Sequence, residues 1–359
     1  RSTLFPYTTL FRSSVFLQQM MESELDFMKA AVLSRSMEPV ILYSDMPMEQ
    51  MAQDPEFPKK WMFGMAMLLK KGLTLRIIHN IDRSMSEMML GLESFIPMYM
   101  TGQIEPYYFK APQNGVFLHF MRSAGTVALT GEAVAGHHSE GRYDLTKVKS
   151  EVAYCRRRAE AMLENASPLM DIYREDGAAR LNAFLLADSR TPGRRRHILY
   201  TPPLCTMEPD YLAALLEKQG LPAEERQRIC AYAQTRREQL EVILLTDTVH
   251  QELPRLSEQA FAQFPPSLPL SGLFCGQDVP YTYETYLAHL AQTEAFAAAH
   301  PRYELEFTGG GAFRNLQICI HEGQWAMVSK EKSPAIHFVI RHPKLRAAIE
   351  RFVPPVVEE

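Results

Sequence analysis

Apolar residues recur at helical spacing over residues 16–36 (FLQQMMESELDFMKAAVLSRS), and Glu38-Pro39 ends that pattern because the residue before a proline is pushed out of the α region. The short apolar run PVILYSD then predicts a buried strand that stops at Ser44 and Asp45. FPKKWMFGMAMLLKKG predicts a helix that is apolar nearly all round, closed by Gly72. LTLRIIHN predicts a second strand ending at His79 and Asn80, SMSEMMLGLESFIPMYMTG a further helix with Gly102 behind it, and IEPYYFK a third strand. VFLHFMR and VALTGE, joined by SAGT, predict a hairpin. Strands alternating with helices imply a mixed α/β sheet to which the hairpin adds an antiparallel part. From Leu145 to Tyr173 the pattern is wholly helical.

The second half repeats the first. ILYSDMPME at 41–49 matches ILYTPPLCTME at 198–208, and LTLRIIHN at 73–80 is paired with LEVILLTD at 240–247 as a strand. EPYYFK at 105–110 corresponds to ELEFTG at 304–309, and the hairpin at 114–132 to NLQICIHEGQWAMVSKE at 315–331. The expectation is two related mixed-sheet α/β lobes joined by a helical segment: a first lobe with its leading helix over 14–144, a helical connector over 145–190, a second lobe over 191–353 and a tail over 354–359. Paired lobes commonly place a ligand crevice between them. The proline-rich FPPSLPLSGLF at 264–274 reads as a surface loop that departs from the repeat.

Residues 1–13 carry no apolar period that leads into the helix pattern at 16–36, and TLFPYTTLFRS at 3–13 reads codon for codon as a translated sequencing-adapter oligonucleotide. This segment is therefore set aside as an adapter artefact, with the expectation that it forms an unstructured tail and that a natural N-terminal part is missing before residue 14. Among the 359 residues, 46% are hydrophobic and 22% charged, as in a soluble globular protein. The net charge of -4 and a pI of about 6.3 give no footprint for a polyanion, which disfavours nucleic-acid binding by this portion. No apolar run approaches the roughly 18 residues that span a bilayer, so no membrane partner is expected. Five scattered cysteines without a CxxC pair or a partnering histidine spacing read as free thiols in a reducing cytoplasm, with neither metal site nor cofactor.

The motifs that could carry chemistry are weak. Gly309-Gly310-Gly311 lacks the Lys-Ser/Thr of a phosphate-binding loop and precedes a strand, so it reads as a flexible loop. His137-His138 reads as a solvated loop, and Arg156 to Arg158 share a helix with Glu151, Glu160 and Glu164 as a solvated face. TPGRRRH, with Arg194 to Arg196, reads as a basic loop. The methionines of the first half (among them Met46, Met48, Met51, Met65 and Met88) read as adaptable core filling. Polar residues just past the expected strand ends are the best binding candidates: Ser44, Asp45, His79, Asn80, Thr246 and Asp247, with Lys330 after the last hairpin. In open α/β sheets ligands lie outside the carboxyl ends of the strands. Helix N-capping explains the same residue types equally well.

Two α/β lobes that each end in an apolar hairpin resemble the phospholipase D-like superfamily, where each hairpin carries His-x-Lys-x4-Asp. His119 lies on the first hairpin, but Met121 and Thr126 stand where Lys and Asp belong. His321 lies on the second, with Gly323 and Val328 at those places. A nucleophile without the cations that stabilise phosphoryl charge forfeits most of the electrostatic part of catalysis, which implies a degenerate, non-catalytic descendant.

GMAMLLKKGLTLRIIHNIDRSMSEMMLGLESFIPMYMTGQIEPYYFK and, at 313–352, FRNLQICIHEGQWAMVSKEKSPAIHFVIRHPKLRAAIERF are similar to the C-terminal region of largely uncharacterised helix-turn-helix transcriptional regulators of anaerobic Gram-positive bacteria. The resemblance implies a cytoplasmic effector-sensing or dimerising region. A small-molecule or protein effector and a homodimer would be its partners, and it would touch DNA only through the missing N-terminal domain. The competing expectations are a phosphodiesterase or other hydrolase using His79 with Asp45 or Asp247, and a purely structural dimerisation scaffold.

Overall fold

The computed structural model describes residues 7–45, 56–111, 116–135, 137, 140–309 and 314–353; the segment around Met46, Met48 and Met51, His138, Gly310-Gly311 and the tail 354–359 lie outside them. Among the described residues the chain is mixed α/β, with two seven-stranded mixed sheets, and it divides between Met170 and Asp171. The first unit runs α1 (Tyr7–Leu33), β1 (Val40–Ser44), α2 (Glu56–Lys70), β2 (Leu75–His79), α3 (Met85–Tyr99) and β3 (Ile104–Tyr108). It continues with β4 (Phe117–Ser123), β5 (Ala128–Val134), β6 (Arg142–Thr146), α4 (Lys149–Asn165) and β7 (Ser167–Pro168). The strand order is β6-β5-β4-β1-β2-β3-β7, with β1, β2 and β3 parallel and the others antiparallel to their neighbours.

Local chemistry sets these boundaries. Ser84 and Glu87 form a reciprocal capping box at the start of α3, and Gly72 and Gly102 adopt φ of +90° and +74° behind α2 and α3, as their positions predict. In α1 the buried residues Met20, Glu24, Phe27, Met28 and Ala31 fall on one stripe. Its backbone is already helical from Tyr7, inside the segment expected to be an unstructured tail. Extending a formed helix adds one hydrogen bond per residue fixed, whereas nucleating one is unfavourable.

The second unit runs β8 (Asp171–Tyr173), α5 (Ala178–Asp188), β9 (Arg195–Ile198), α6 (Pro209–Lys218), α7 (Ala223–Leu244) and β10 (Val249–Pro254). It ends with α8 (Glu258–Gln263), α9 (Tyr283–Ala299), β11 (Tyr303–Thr308), β12 (Leu316–His321), β13 (Trp325–Lys330), β14 (Ile336–Ile340) and α10 (Pro343–Glu350). Its strand order is β11-β10-β9-β12-β13-β14-β8, again with three parallel strands beside an antiparallel set. Six strands therefore recur in the same order and direction in both units, which is the repeat read from the sequence.

Four expectations need correction. Residues 240–244 belong to helix α7, not to a strand, and the counterpart of β2 is β10. A short apolar run suits either a buried strand or a buried helix, and AEERQRICAYAQTRREQ ahead of it is a breaker-free run of helix formers. The basic TPGRRRH segment is a loop only as far as Arg194: Arg195 opens β9 and is only 2% exposed. The stretch 145–190 is no separate helical connector, because it contributes β6, α4 and β7 to the first unit and β8 and α5 to the second. The proline-rich 264–274 is not superficial, since Leu268, Leu270, Ser271 and Phe274 are buried. Prolines bring fewer N–H groups that need partners, so such a segment can be buried at little cost.

In the first unit one buried ion pair ties α1 to the sheet. Arg122 on β4 donates through Nε and Nη2 to Oε1 of Glu24 at 3.0 and 2.7 Å, and through Nη1 to the Tyr43 carbonyl at 2.8 Å. The Glu24 side chain is 1% exposed. Removing one partner strands the other charge in apolar surroundings. Arg122→Ala is expected to lower stability by about 3–5 kcal/mol in urea unfolding, and the double variant Glu24→Leu/Arg122→Met by much less.

Candidate functional site

The expected crevice residues of the first unit divide between two faces of the sheet. Ser44 pairs in register with His79, and Tyr43 with Ile78. His79 faces α3, where its Nε2 meets the Tyr99 hydroxyl at 2.8 Å and its ring packs edge-on to Phe95. Burial, assisted by the Arg83 charge, pushes its pKa down to about 3. Asp45 faces α4 instead: its Oδ2 accepts from the Tyr43 hydroxyl at 3.0 Å and lies 3.6 Å from Nδ1 of His119, while Oδ1 accepts from the His119 amide. His79 and Asp45 therefore do not act on one point. Asn80 serves its own turn, with Oδ1 accepting from the Asp82 amide at 2.9 Å. The Ser44 carbonyl receives Arg83 at 3.4 Å.

His119 is the half-exposed member of this group, 46% exposed over an Asp45 that is 4% exposed, and it opens onto a cleft of about 710 Å³. Glu132, Glu140 and Asp144 line that cleft against Arg142 and Arg158. With Asp45 beneath, carboxylates outnumber guanidinium groups, a field that repels a phosphodiester. His119 and His321 also differ in position. His119 is level with Asp45 at the carboxyl end of β1, whereas His321 pairs with Arg195, the first residue of β9. They stand at opposite ends of their sheets, so the repeat does not duplicate a histidine site.

In the second unit, Thr246 and Asp247 sit in the turn before β10, at the amino end of the parallel strands. Asp247 accepts from Thr246 Oγ1 at 2.6 Å and from the Gly193 amide at 3.0 Å, and the Thr246 bond holds its carboxyl below the usual range. Lys330 ends β13 on the face opposite Ser329. None of these three lines the cavity that this unit does contain.

That cavity, about 130 Å³, lies between one face of the sheet and α7. In register, Arg195, His197, Gln251, Gln317, Cys319, Ser329 and His337 share this face. Tyr232, Arg236, Gln239, Leu240 and Ile243 supply the stripe of α7 that covers it. One end is closed by a buried polar cluster. Asp188 at the end of α5 accepts from His321 Nδ1 and Trp325 Nε1, both at 2.7 Å to Oδ1, and from Arg195 Nη2 at 3.1 Å to Oδ2. Arg195 also donates to the carbonyls of Gly193, Asp188 and Thr191. Gly193, at φ +143°, lies against the His321 ring so closely that a Cβ would fall 2.3 Å from Nε2, which only glycine permits. At the other end His337 contacts Ser329 Oγ at 2.6 Å and the Ser271 carbonyl at 3.1 Å.

Burial dominates the acid–base behaviour of the lining. It pushes His197 and His337 down to about 4, helped by the Arg236 charge, and lifts the thiols of Cys205 and Cys319 to about 11 and about 12. Glu331, whose Oε1 accepts from Ser271 Oγ at 2.8 Å, is raised by burial to about 7. All five cysteines are free, and among the described residues no His, Cys, Asp and Glu cluster could hold a metal ion. Among the described residues no helix is long and apolar enough to cross a membrane.

The chain matches no protein-family model, and no curated protein matches it at a significant level.

The cavity residues were not among the candidates read from the sequence. Their signal is the alternation of polar residues along RRHI, VHQELP and LQICIH, together with the four-residue spacing from Tyr232 to Arg236 and Leu240.

Four buried imidazoles give a pH signature. His79 and His289 titrate at about 3, and His197 and His337 at about 4, against an ordinary value of 6.5. Below that value the unfolded chain binds protons that the folded chain refuses, so stability falls as pH drops toward 4. Glu331 acts oppositely: between 4.5 and about 7 its folded form holds a proton the unfolded form lacks, so its contribution fades as pH rises. Four groups outweigh one. Calorimetry is expected to show a lower Tm at about pH 5 than at pH 7.

Proposed function

We propose that the chain is the effector-sensing region of a helix-turn-helix transcriptional regulator, binding a small ligand inside its second lobe without catalysing a reaction. The observation that carries this reading is the cavity beneath α7, where donors and acceptors from six strands and a helix converge on a space of about 130 Å³. A pocket with few precisely placed polar groups among apolar walls suits recognition of one small molecule. The likeness of residues 64–110 and 313–352 to regulator C-terminal regions supplies the biological setting: a cytoplasmic homodimer whose geometry shifts with ligand, altering DNA binding by a preceding domain. The paired sheets support descent from a phospholipase D-like ancestor, and the acidic surroundings of His119 and the missing lysines support loss of its chemistry.

One arrangement favours the competing hydrolase reading: His119, half-exposed and oriented by buried Asp45, has the form of a base with its supporting carboxylate. Turnover of an ester or phosphodiester by the chain, abolished in His119→Ala, would overturn the non-catalytic proposal. The regulator proposal is tested on the gene. The reading frame upstream of the Ser14 codon in an intact genome is expected to encode a Cro-type DNA-binding domain, and a start codon immediately before it would sink the idea.

A further inference from the structure

We propose that the cavity of the second lobe is a binding site for a small monocarboxylate, its apolar tail against the leucines and its anionic end on Arg236. This rests on the effector-sensing reading and adds the ligand class to it.

The two sheets supply an internal comparison. Val40, Leu75 and Ile104 are in register as the first residues of the parallel strands in the first unit, and Arg195, Val249 and Tyr303 are their counterparts in the second. Two residues further along the same helix-covered face, the first unit has Leu42, Ile77 and Pro106, where the second has His197, Gln251 and Leu305. At these positions of the parallel strands the shared topology is thus built with apolar side chains in one copy and with arginine, histidine and glutamine among them in the other, while the Arg122 and His79 that share the first unit's face are met by Glu24 and by Tyr99. The fold does not require these polar groups, and burying them is unfavourable unless they find partners.

Their hydrogen bonds are incompletely used within the protein. Arg195 is 2% exposed, yet its Nε has no partner. Arg236 donates from Nη1 to Gln239 Oε1 at 2.7 Å, and among the described residues it makes no ion pair. Its charge nevertheless bears on His197, His337, Cys205 and Cys319, which lie around the cavity. Of the other charges nearby, Asp188 is taken by Arg195, His321 and Trp325, burial favours the neutral form of Glu331, and Glu241 is an exposed residue of α7. One guanidinium therefore faces the cavity without a counter-charge, and a carboxylate matches its planar fork of donors.

Size and walls narrow the class. A cavity of about 130 Å³ is slightly smaller than one that takes a benzene molecule, so on the order of six heavy atoms fit. Leu199, Leu204, Leu240, Ile243 and Met327 supply apolar surface for the tail. A monocarboxylate of about three to four carbons, its two oxygens included in that size, satisfies both ends, whereas an inorganic anion would leave the apolar walls unused.

The test uses the full chain carrying Trp61→Phe, which leaves Trp325, a cavity residue, as the sole tryptophan reporter. Trp325 emission is followed on titration with the potassium salts of acetate through hexanoate, with the corresponding neutral amides and with inorganic phosphate. A saturable change is expected for the acids, strongest at about three to four carbons and at least about tenfold weaker for each amide. Arg236→Gln should weaken binding about tenfold or more and Arg236→Lys should restore part of it. Should Arg236→Gln fail to fold by circular dichroism, the acid–amide comparison on the unsubstituted site decides. Amides or phosphate binding as tightly as the acids, or Arg236→Gln binding unchanged, would overturn the carboxylate assignment. A neutral metabolite that moves Trp325 emission would overturn the ligand class and leave the effector reading standing. No response to these probes or to a panel of cytosolic metabolites would overturn both.

Discussion

Asp188 is the constraint on which the second lobe is arranged. One carboxylate at the end of α5 receives the imidazole of β12, the indole of β13 and the guanidinium of β9, and so fixes a helix end against three strands. Charge-assisted hydrogen bonds are about twice as strong as neutral ones, and in a buried setting the loss of any partner leaves the others unsatisfied. Besides the Asp188 carboxylate, Arg195 is held by the carbonyls of Gly193, Asp188 and Thr191, and its Nε has no partner. The end wall of the cavity is thereby held by hydrogen bonds within the protein. The first lobe solves the analogous problem more simply, with Arg122 joined to Glu24 across one helix–sheet contact and His79 met by the Tyr99 hydroxyl.

Much of this architecture was legible in the chain. The strands at 40–44, 75–79 and 104–108, both hairpins and the glycine caps follow from period and punctuation, and the repeat follows from matching them. Two segments misled for physical reasons. LEVILL is apolar enough for a buried strand, but helix α7 arrives at it without a breaker and continues through it. RRRH is charged enough for a loop, but Arg195 is neutralised by a carboxylate seven residues earlier and by carbonyls that no local pattern reveals.

The site was less legible than the fold. The rule that ligands gather beyond the carboxyl ends of strands directed attention to Asp45 and His79, which turn out to face opposite sides of their sheet. Thr246 and Asp247 moved to the other end of the second sheet once the strand before them became a helix. What the sequence held, and what composition obscures, is a buried sheet face with arginine, histidine and glutamine at alternate positions. Each is ordinary alone, and only strand register shows that they meet.

The seventh strands carry a further consequence. β7 closes the parallel edge of the first sheet beside β3, and β8, three residues later, closes the antiparallel edge of the second beside β14. An open sheet edge is a template for strand addition by another chain. A lone six-stranded lobe would present both of its edges to every neighbour in a crowded cell. Here one short stretch of backbone replaces a longer edge of each sheet with a strand of two or three residues, and the opposite edges carry Arg142 and Asp144 on β6 and Glu304 and Glu306 on β11. The stretch that links the two sheets thus also leaves each with little exposed backbone at one edge for another strand to pair with.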